Sequence, residues 1–215
     1  MASTDPMDVV SPETTALLVV DVQKAFAAES SPLVDAGVDL SAAIETVPDV
    51  ATLIETARAA GLTVAFTRSL RRADDADAPQ TVYDVVPKVL RGSEPICRRG
   101  SDDADYVDGV EPRDDEYEVE KVRYDAFHNT PLDYYLGSAG VDTVLVCGFA
   151  TNVCVEGTAR GAHERGYDVV LVEDCCAAFS PEQHESGVRN AELLLGDTTT
   201  LDAVRETLSA SHATQ

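Results

Sequence analysis

Apolar and polar positions along this chain switch repeatedly between two spacings. Ala16-Leu17-Leu18-Val19-Val20 is an unbroken apolar run closed by Asp21, the pattern of a strand buried on both faces. Residues 47–60 place Val50, Leu53, Ile54 and Ala57 at helical spacing, with Gly61 as the stop. Residues 62–67 read as a second strand and 118–121 as a short polar one. A β-branched run at 141–148, ending in Gly148, predicts a further buried strand. After it, 151–165 reads as a helix closed by Gly166, 167–173 as a strand, and 181–195 as a helix followed by Gly196. Residues 198–200 predict a last short strand and 201–208 a terminal helix. This alternation predicts an α/β fold, with three layers (α/β/α) around a mostly parallel six-stranded sheet of Rossmann-like type.

The 215 residues fit one domain, 44% hydrophobic, which is enough for a sizeable core. Residues 71–115 break the pattern. They are irregular, rich in Asp, Arg, Pro and Gly, and too long for an ordinary connection, so they read as an insertion or lid. No apolar run approaches the roughly 18 residues of a membrane span. The first residues lack the charged-then-apolar pattern of a signal peptide. Five cysteines at irregular spacing, with no CxxC pair, do not form a disulfide framework or a zinc motif. A cytoplasmic location is the expectation.

Charge narrows the partners. Asp and Glu number 39 against 16 Lys and Arg, a formal net charge of -23, and the lysines are Lys24, Lys88 and Lys121 alone. Such a surface repels nucleic acid and anionic membrane, so neither is expected as a partner. The acids are spread along the chain rather than gathered in a tail. Dispersed carboxylates with few lysines look like adaptation to a high-salt cytoplasm, where a Debye length of about 3 Å at molar salt screens self-repulsion.

Three reactive residues fall at or just beyond the carboxyl ends of expected strands, where open parallel sheets place their ligands. Asp21 closes the first strand, Lys121 the polar one, and Cys154 follows the strand ending at Gly148. Thr151 or Asn152 can cap the helix that follows, which puts Cys154 near its first turn. There the partial positive charge favours a thiolate and free N–H groups can hold an oxyanion. Each residue also has a plain reading: Asp21 as a turn cap, Lys121 as a surface lysine, Cys154 as a small buried apolar residue. Together, an acid, a base and a thiol at one sheet edge make a cysteine-nucleophile site.

The residues around these three resemble a known family. Leu18-Val19-Val20-Asp21-Val22-Gln23-Lys24-Ala25-Phe26 is similar to the first strand of the isochorismatase-like cysteine hydrolases, which include nicotinamidases and N-carbamoylsarcosine amidases. Residues 119–132, with Lys121, Arg123, Ala126, Phe127, Thr130 and Leu132, resemble its motif K-x-R-x-x-A-F-x-x-T-x-L. Gly148-Phe149-Ala150-Thr151-Asn152-Val153-Cys154-Val155 resembles its G-x-x-T-x-x-C-V motif, and Asp174 with Cys175, Cys176 and Ala177 its acidic turn after the fifth strand. The likeness runs from about Thr15 to Leu208.

The resemblance implies a mechanism. Asp21 would take the Cys154 proton and pass it to a leaving amine, Lys121 would favour the thiolate, and a thioester would form and then hydrolyse. It further implies a cis peptide between Ala150 and Thr151 that aims the Thr151 N–H, with that of Cys154, at the oxyanion. It implies substrate contacts at Gln23, Phe26, Arg68 and Phe127, and a homo-oligomer, dimer or tetramer. The expected reaction is hydrolysis of an amide or ureido C–N bond of a small molecule. A nicotinamidase, an isochorismatase-type ether hydrolase and a non-catalytic ligand-binding member are the alternatives.

The departures bear on these. Metal-dependent nicotinamidases carry D-x-H after the second strand, where this chain reads Phe66-Thr67-Arg68-Ser69-Leu70-Arg71-Arg72. No metal or other cofactor is therefore expected, and Asp74, Asp75 and Asp77 would suit only a loosely held hard cation. Cys154 argues against the ether hydrolase, which lacks that cysteine. Arg68, Arg71 and Arg72 stand where a substrate carboxylate could be met, or where a basic turn offsets nearby acids. His163 and His184 read as structural or solvated helix residues.

Overall fold

The computed structural model describes residues 5–77 and 95–212. Its centre is a six-stranded, all-parallel sheet in the order β3-β2-β1-β4-β5-β6. The strands are β1 (Thr15–Val20), β2 (Thr63–Ser69), β3 (Tyr117–Lys121), β4 (Thr143–Phe149), β5 (Asp168–Ala177) and β6 (Asp197–Thr199). β1 and β4 are buried along their whole length, as unbroken apolar runs in a two-sided sheet require.

The helices are α1 (Lys24–Ala27), α2 (Pro32–Asp35), α3 (Ser41–Ala60), α4 (Leu132–Ser138), α5 (Glu156–His163), α6 (Pro181–Leu194) and α7 (Leu201–His212). α3 links β1 to β2 in one direction across the sheet, whereas α5 and α6 lead from β4 to β5 to β6 in the other. Right-handed crossovers running in opposite directions place their helices on opposite faces. The reversal falls between β1 and β4, and the crevice at such a reversal is where parallel sheets bind ligands. No helix among the described residues is long and apolar enough to cross a membrane.

Three elements run well past the bounds the sequence pattern indicated: α3, β5 and α7, which reaches His212 rather than ending at 208. α3 begins at Ser41, ahead of the 47–60 that the apolar spacing indicated, and carries Pro48 within it on the exposed side. β5 continues past the polar pair Glu173–Asp174 to Ala177, because its register against β4 shifts between Val146 and Gly148 and its last residues pair with Gly148 and Phe149. Asp174 accepts the Leu201 N–H at 2.8 Å and so caps α7.

Of the irregular stretch, residues 78–94 lie outside the described residues. The parts on either side are tied to the sheet. Arg71 bridges Arg98, Gln23 bridges Tyr106, and Ile96 and Cys97 join a small second core with Leu33, Val38 and Leu40.

Candidate active site

Asp21 leaves β1 with φ of 52°, in the left-handed region that aspartate tolerates better than most residues. The turn is possible because its neighbour on β4, paired with Val20, is Gly148. That residue has φ of 116°, and a Cβ there would stand 2.1 Å from the Val20 carbonyl oxygen. The Asp21 carboxylate is fully buried, and both oxygens are partnered. Oδ2 takes the Lys121 ammonium at 2.6 Å and Oδ1 the Thr67 hydroxyl at 2.7 Å. Lys121 also donates to the Arg123 carbonyl at 3.0 Å.

Cys154 lies in the Thr151–Val155 turn, which is π-helical. The Ala150 carbonyl takes the Val153 N–H at 3.0 Å and the Val155 N–H at 3.2 Å. Wide turns of this kind recur at functional sites. The thiol faces both Asp21 and Lys121, near enough for each to shift its ionisation, so the structure brings the three residues together. Burial pushes the thiol up, Lys121 pulls it down and Asp21 pushes it up again, leaving it at about 12. The first-turn position thus does not make a resting thiolate; loss of hydration outweighs it. For Lys121 burial acts downward, but Asp21 and Cys154 outweigh it and the ammonium is held charged.

The cis peptide stands at Phe149–Ala150, one bond earlier than expected. The Ala150 carbonyl already accepts two helical N–H groups, so the Ala150–Thr151 peptide belongs to the helical turn and the reversal must precede it.

The residues expected at a substrate divide. Gln23 is fully buried and its amide is spent on backbone. Nε2 donates to the Ser69 and Ala104 carbonyls at 3.0 and 2.7 Å, and Oε1 takes the Ser69 N–H at 2.7 Å. It staples the ends of β1 and β2 to the 102–104 turn. Phe26 is half-buried between the two cores. Arg68 pairs across β2–β3 with Glu120, on the face opposite Ser69 and Lys121, and its guanidinium meets Glu118 and Glu120, both at 3.2 Å. Phe127 is buried against Tyr167, which precedes β5 at the amino end of the sheet, and under the Arg165 guanidinium. The structure therefore does not bring Arg68 or Phe127 to the triad. Strand alternation decides the first, and an apolar contact at the far sheet end decides the second.

Other residues do reach the site. Arg71 follows Thr67 and Ser69 at period two and donates to the Ile96 carbonyl at 3.0 Å. Tyr124 is half exposed; burial and the facing Cys154 raise its hydroxyl, while Arg71 and Lys121 lower it. Cys97 is buried with its sulfur 4.0 Å from Gln23 Nε2. Alternation past the end of β2 singles out Arg71 among the three arginines expected near a substrate carboxylate; nothing local marks Tyr124.

A nicotinamidase-type metal does not fit these residues. After β2, Arg68 is committed to Glu118 and Glu120, Asp74 to Arg72 at 2.9 Å, Asp75 to Arg98, and Asp77 to the Arg72 N–H at 3.0 Å. Among the described residues no group of three or more His, Cys, Asp or Glu side chains is arranged to hold a metal ion.

A parallel sheet whose central reversal carries a buried acid–lysine pair facing a thiol has the parts of a cysteine-nucleophile site. Residues 15–203 match the isochorismatase domain, and the chain belongs to that family of isochorismatase-like cysteine hydrolases. Ureidoacrylate amidohydrolase RutB of Methylorubrum extorquens is 33% identical over 211 residues, covering 94% of this chain and 85% of the relative. A cysteine hydrolase from Pseudomonas syringae superposes with a TM-score of 0.81 at 29% identity, covering 94% of this chain and 95% of that one. N-carbamoylsarcosine amidase from Thermoplasma acidophilum gives 0.69 at 27% identity, covering 88% and 97%.

Proposed function

We propose that this protein is a cysteine-dependent amidohydrolase that cleaves a non-peptide amide or ureido C–N bond of a small molecule. The observation that carries the reading is the fully buried Lys121–Asp21 pair, 2.6 Å apart, with the Cys154 thiol facing it. The names of the relatives support it: one is a ureidoacrylate amidohydrolase and another an N-carbamoylsarcosine amidase.

Burial pushes the thiol toward its neutral form, so the nucleophile is made on demand. Asp21 accepts the Cys154 proton as sulfur attacks the carbonyl carbon, and the C–S bond forms as the carbonyl π pair moves to oxygen. Free N–H groups of the 150–154 turn, that of Cys154 among them, take the oxyanion. Collapse breaks the C–N bond, and Asp21 returns the proton to the leaving nitrogen. Water then attacks the thioester, with Asp21 as base, and releases the acid and the thiol. Lys121 keeps its charge throughout and stabilises the carboxylate and the developing thiolate.

Arg71 is the candidate partner for a substrate carboxylate, since it shares the face of Thr67 and Ser69 and lies near Tyr124 above the thiol. The working compartment is taken as a reducing cytoplasm, in keeping with five buried free cysteines. The assembly is taken as a homo-oligomer, to which exposed Tyr134, Leu193 and Leu194 would contribute apolar surface; light scattering checks it. The deciding experiment is a screen of small amides and ureido acids for ammonia release at molar potassium chloride. Turnover that depends on Cys154 supports the reading, and a parent enzyme silent on every amide and ureide refutes it.

A further inference from the structure

One face of α6 is built against the turn that carries Cys154. His184, Gly187 and Asn190 follow one another at a spacing of three, so they lie along a single stripe of that helix. Each meets a different part of the nucleophile segment. His184 Nδ1 shares a hydrogen bond with the Thr151 hydroxyl at 2.9 Å. Gly187 packs on the backbone itself: a Cβ there would stand 2.9 Å from the Asn152 nitrogen and 2.9 Å from the Thr151 carbonyl carbon. Asn190 Nδ2 donates to both carboxylate oxygens of Glu156, at 3.2 and 3.3 Å, where the π-helical turn passes into α5.

These contacts bracket Cys154 from both sides in sequence. The bare backbone at Gly187 sets the distance between the two helices, and the two polar contacts set the rotation of the turn about it. Thr151 is fully buried, so its hydroxyl has little choice of partner. A buried hydroxyl that loses its partner drags the surrounding backbone toward a substitute. Here that backbone belongs to the turn that carries Cys154 and the N–H groups assigned above to the oxyanion.

We propose that His184 is a positioning residue for catalysis, acting through the Thr151 hydroxyl to hold the 151–156 turn in its working orientation. It acts on the reacting atoms only through that hydroxyl. The proposal rests on the hydrolase reading for its effect on rate, but the fixing of the turn is a property of the resting protein and can be measured without a substrate.

The test compares the parent with His184→Leu and His184→Asn. Leucine fills similar space and cannot bond to Thr151. The asparagine amide places a polar atom at the same number of bonds from Cα as Nδ1, so it can restore the contact. Two quantities are read. The first is kcat and KM for ammonia release from the best substrate of the amide and ureido-acid panel. The second is amide hydrogen exchange of residues 151–156 against that of the β1 and β4 core.

His184→Leu should lower kcat about tenfold to a hundredfold, the scale of a small misplacement of a reacting group, with KM within about twofold of the parent. Exchange at 151–156 should quicken while the core stays protected, and His184→Asn should recover most of both effects. A leucine variant with parental kcat and parental exchange overturns the proposal. So does an asparagine variant as impaired as leucine, or a loss confined to KM. If the parent releases ammonia from nothing in the panel, the hydrolase reading fails by that result, and exchange alone decides whether His184 fixes the turn.

Discussion

The Thr67 hydroxyl lies 2.7 Å from Asp21 Oδ1, on the opposite side of the carboxylate from the oxygen that takes Lys121. β2 thus supplies the third fixed point around the acid. Replacing Thr67 by Val keeps the shape and removes the bond. A hydrogen bond to a charged group is worth about 1.5–3 kcal/mol, so Thr67→Val should lower unfolding stability by about that amount, with Thr67→Ser near the parent. Urea unfolding gives the answer, and equal midpoints for Val and parent would show that the contact carries no energy.

Cys154→Ala should abolish turnover and leave the fold intact. The measurement is ammonia release alongside far-ultraviolet circular dichroism. Turnover within about tenfold of the parent would remove Cys154 from the role of nucleophile.

The thiol's raised pKa, about 12, sets its reactivity in the free protein. A thiol raised this way is protonated below that value and becomes thiolate as pH rises toward it. Alkylation of Cys154 by iodoacetamide at pH 8 should therefore be slower than that of a free thiol of pKa about 8.5, and should climb without a plateau up to the limit of folding. A plateau near neutral pH would mean that Lys121 outweighs burial at the sulfur.

Activity should survive exhaustive chelation at constant high potassium chloride, because the acids after β2 are already held by arginines. Loss of activity that zinc, iron or manganese restores would overturn the metal-free mechanism.

With a net charge of -23, the melting temperature should rise with potassium chloride as self-repulsion is screened. A flat or falling curve would mean that the dispersed acids are locally compensated, as Arg58 is by Glu116 at 2.7 Å.

β1, β2, β4 and the longer helices were legible because their apolar periods are sustained and several are punctuated by glycine. The end of β5 was not, since Glu173 and Asp174 interrupt the run and only a register shift against β4 carries the strand past them. Asp21, Lys121 and Cys154 were legible as an ordered set of motifs at strand ends. Thr67 and His184 were not, because their meaning lies in partners 46 and 33 residues away that no local pattern names. Arg68 misled for a physical reason: one step along a strand is the other face of the sheet.

β2 stands between the strand that ends in the acid and the strand that carries the lysine. At about 4.8 Å per strand spacing, the ammonium must cross roughly two spacings of sheet to meet its partner. The position on β3 therefore acts as a ruler. It admits a long unbranched side chain lying past Ser69 and would strand a shorter base such as histidine out of reach. A one-residue slip of β3 would turn that ruler over toward Arg68 and bring Glu118 and Glu120 to the triad face in its place, so the geometry of an edge strand's pairing is also the geometry of proton transfer.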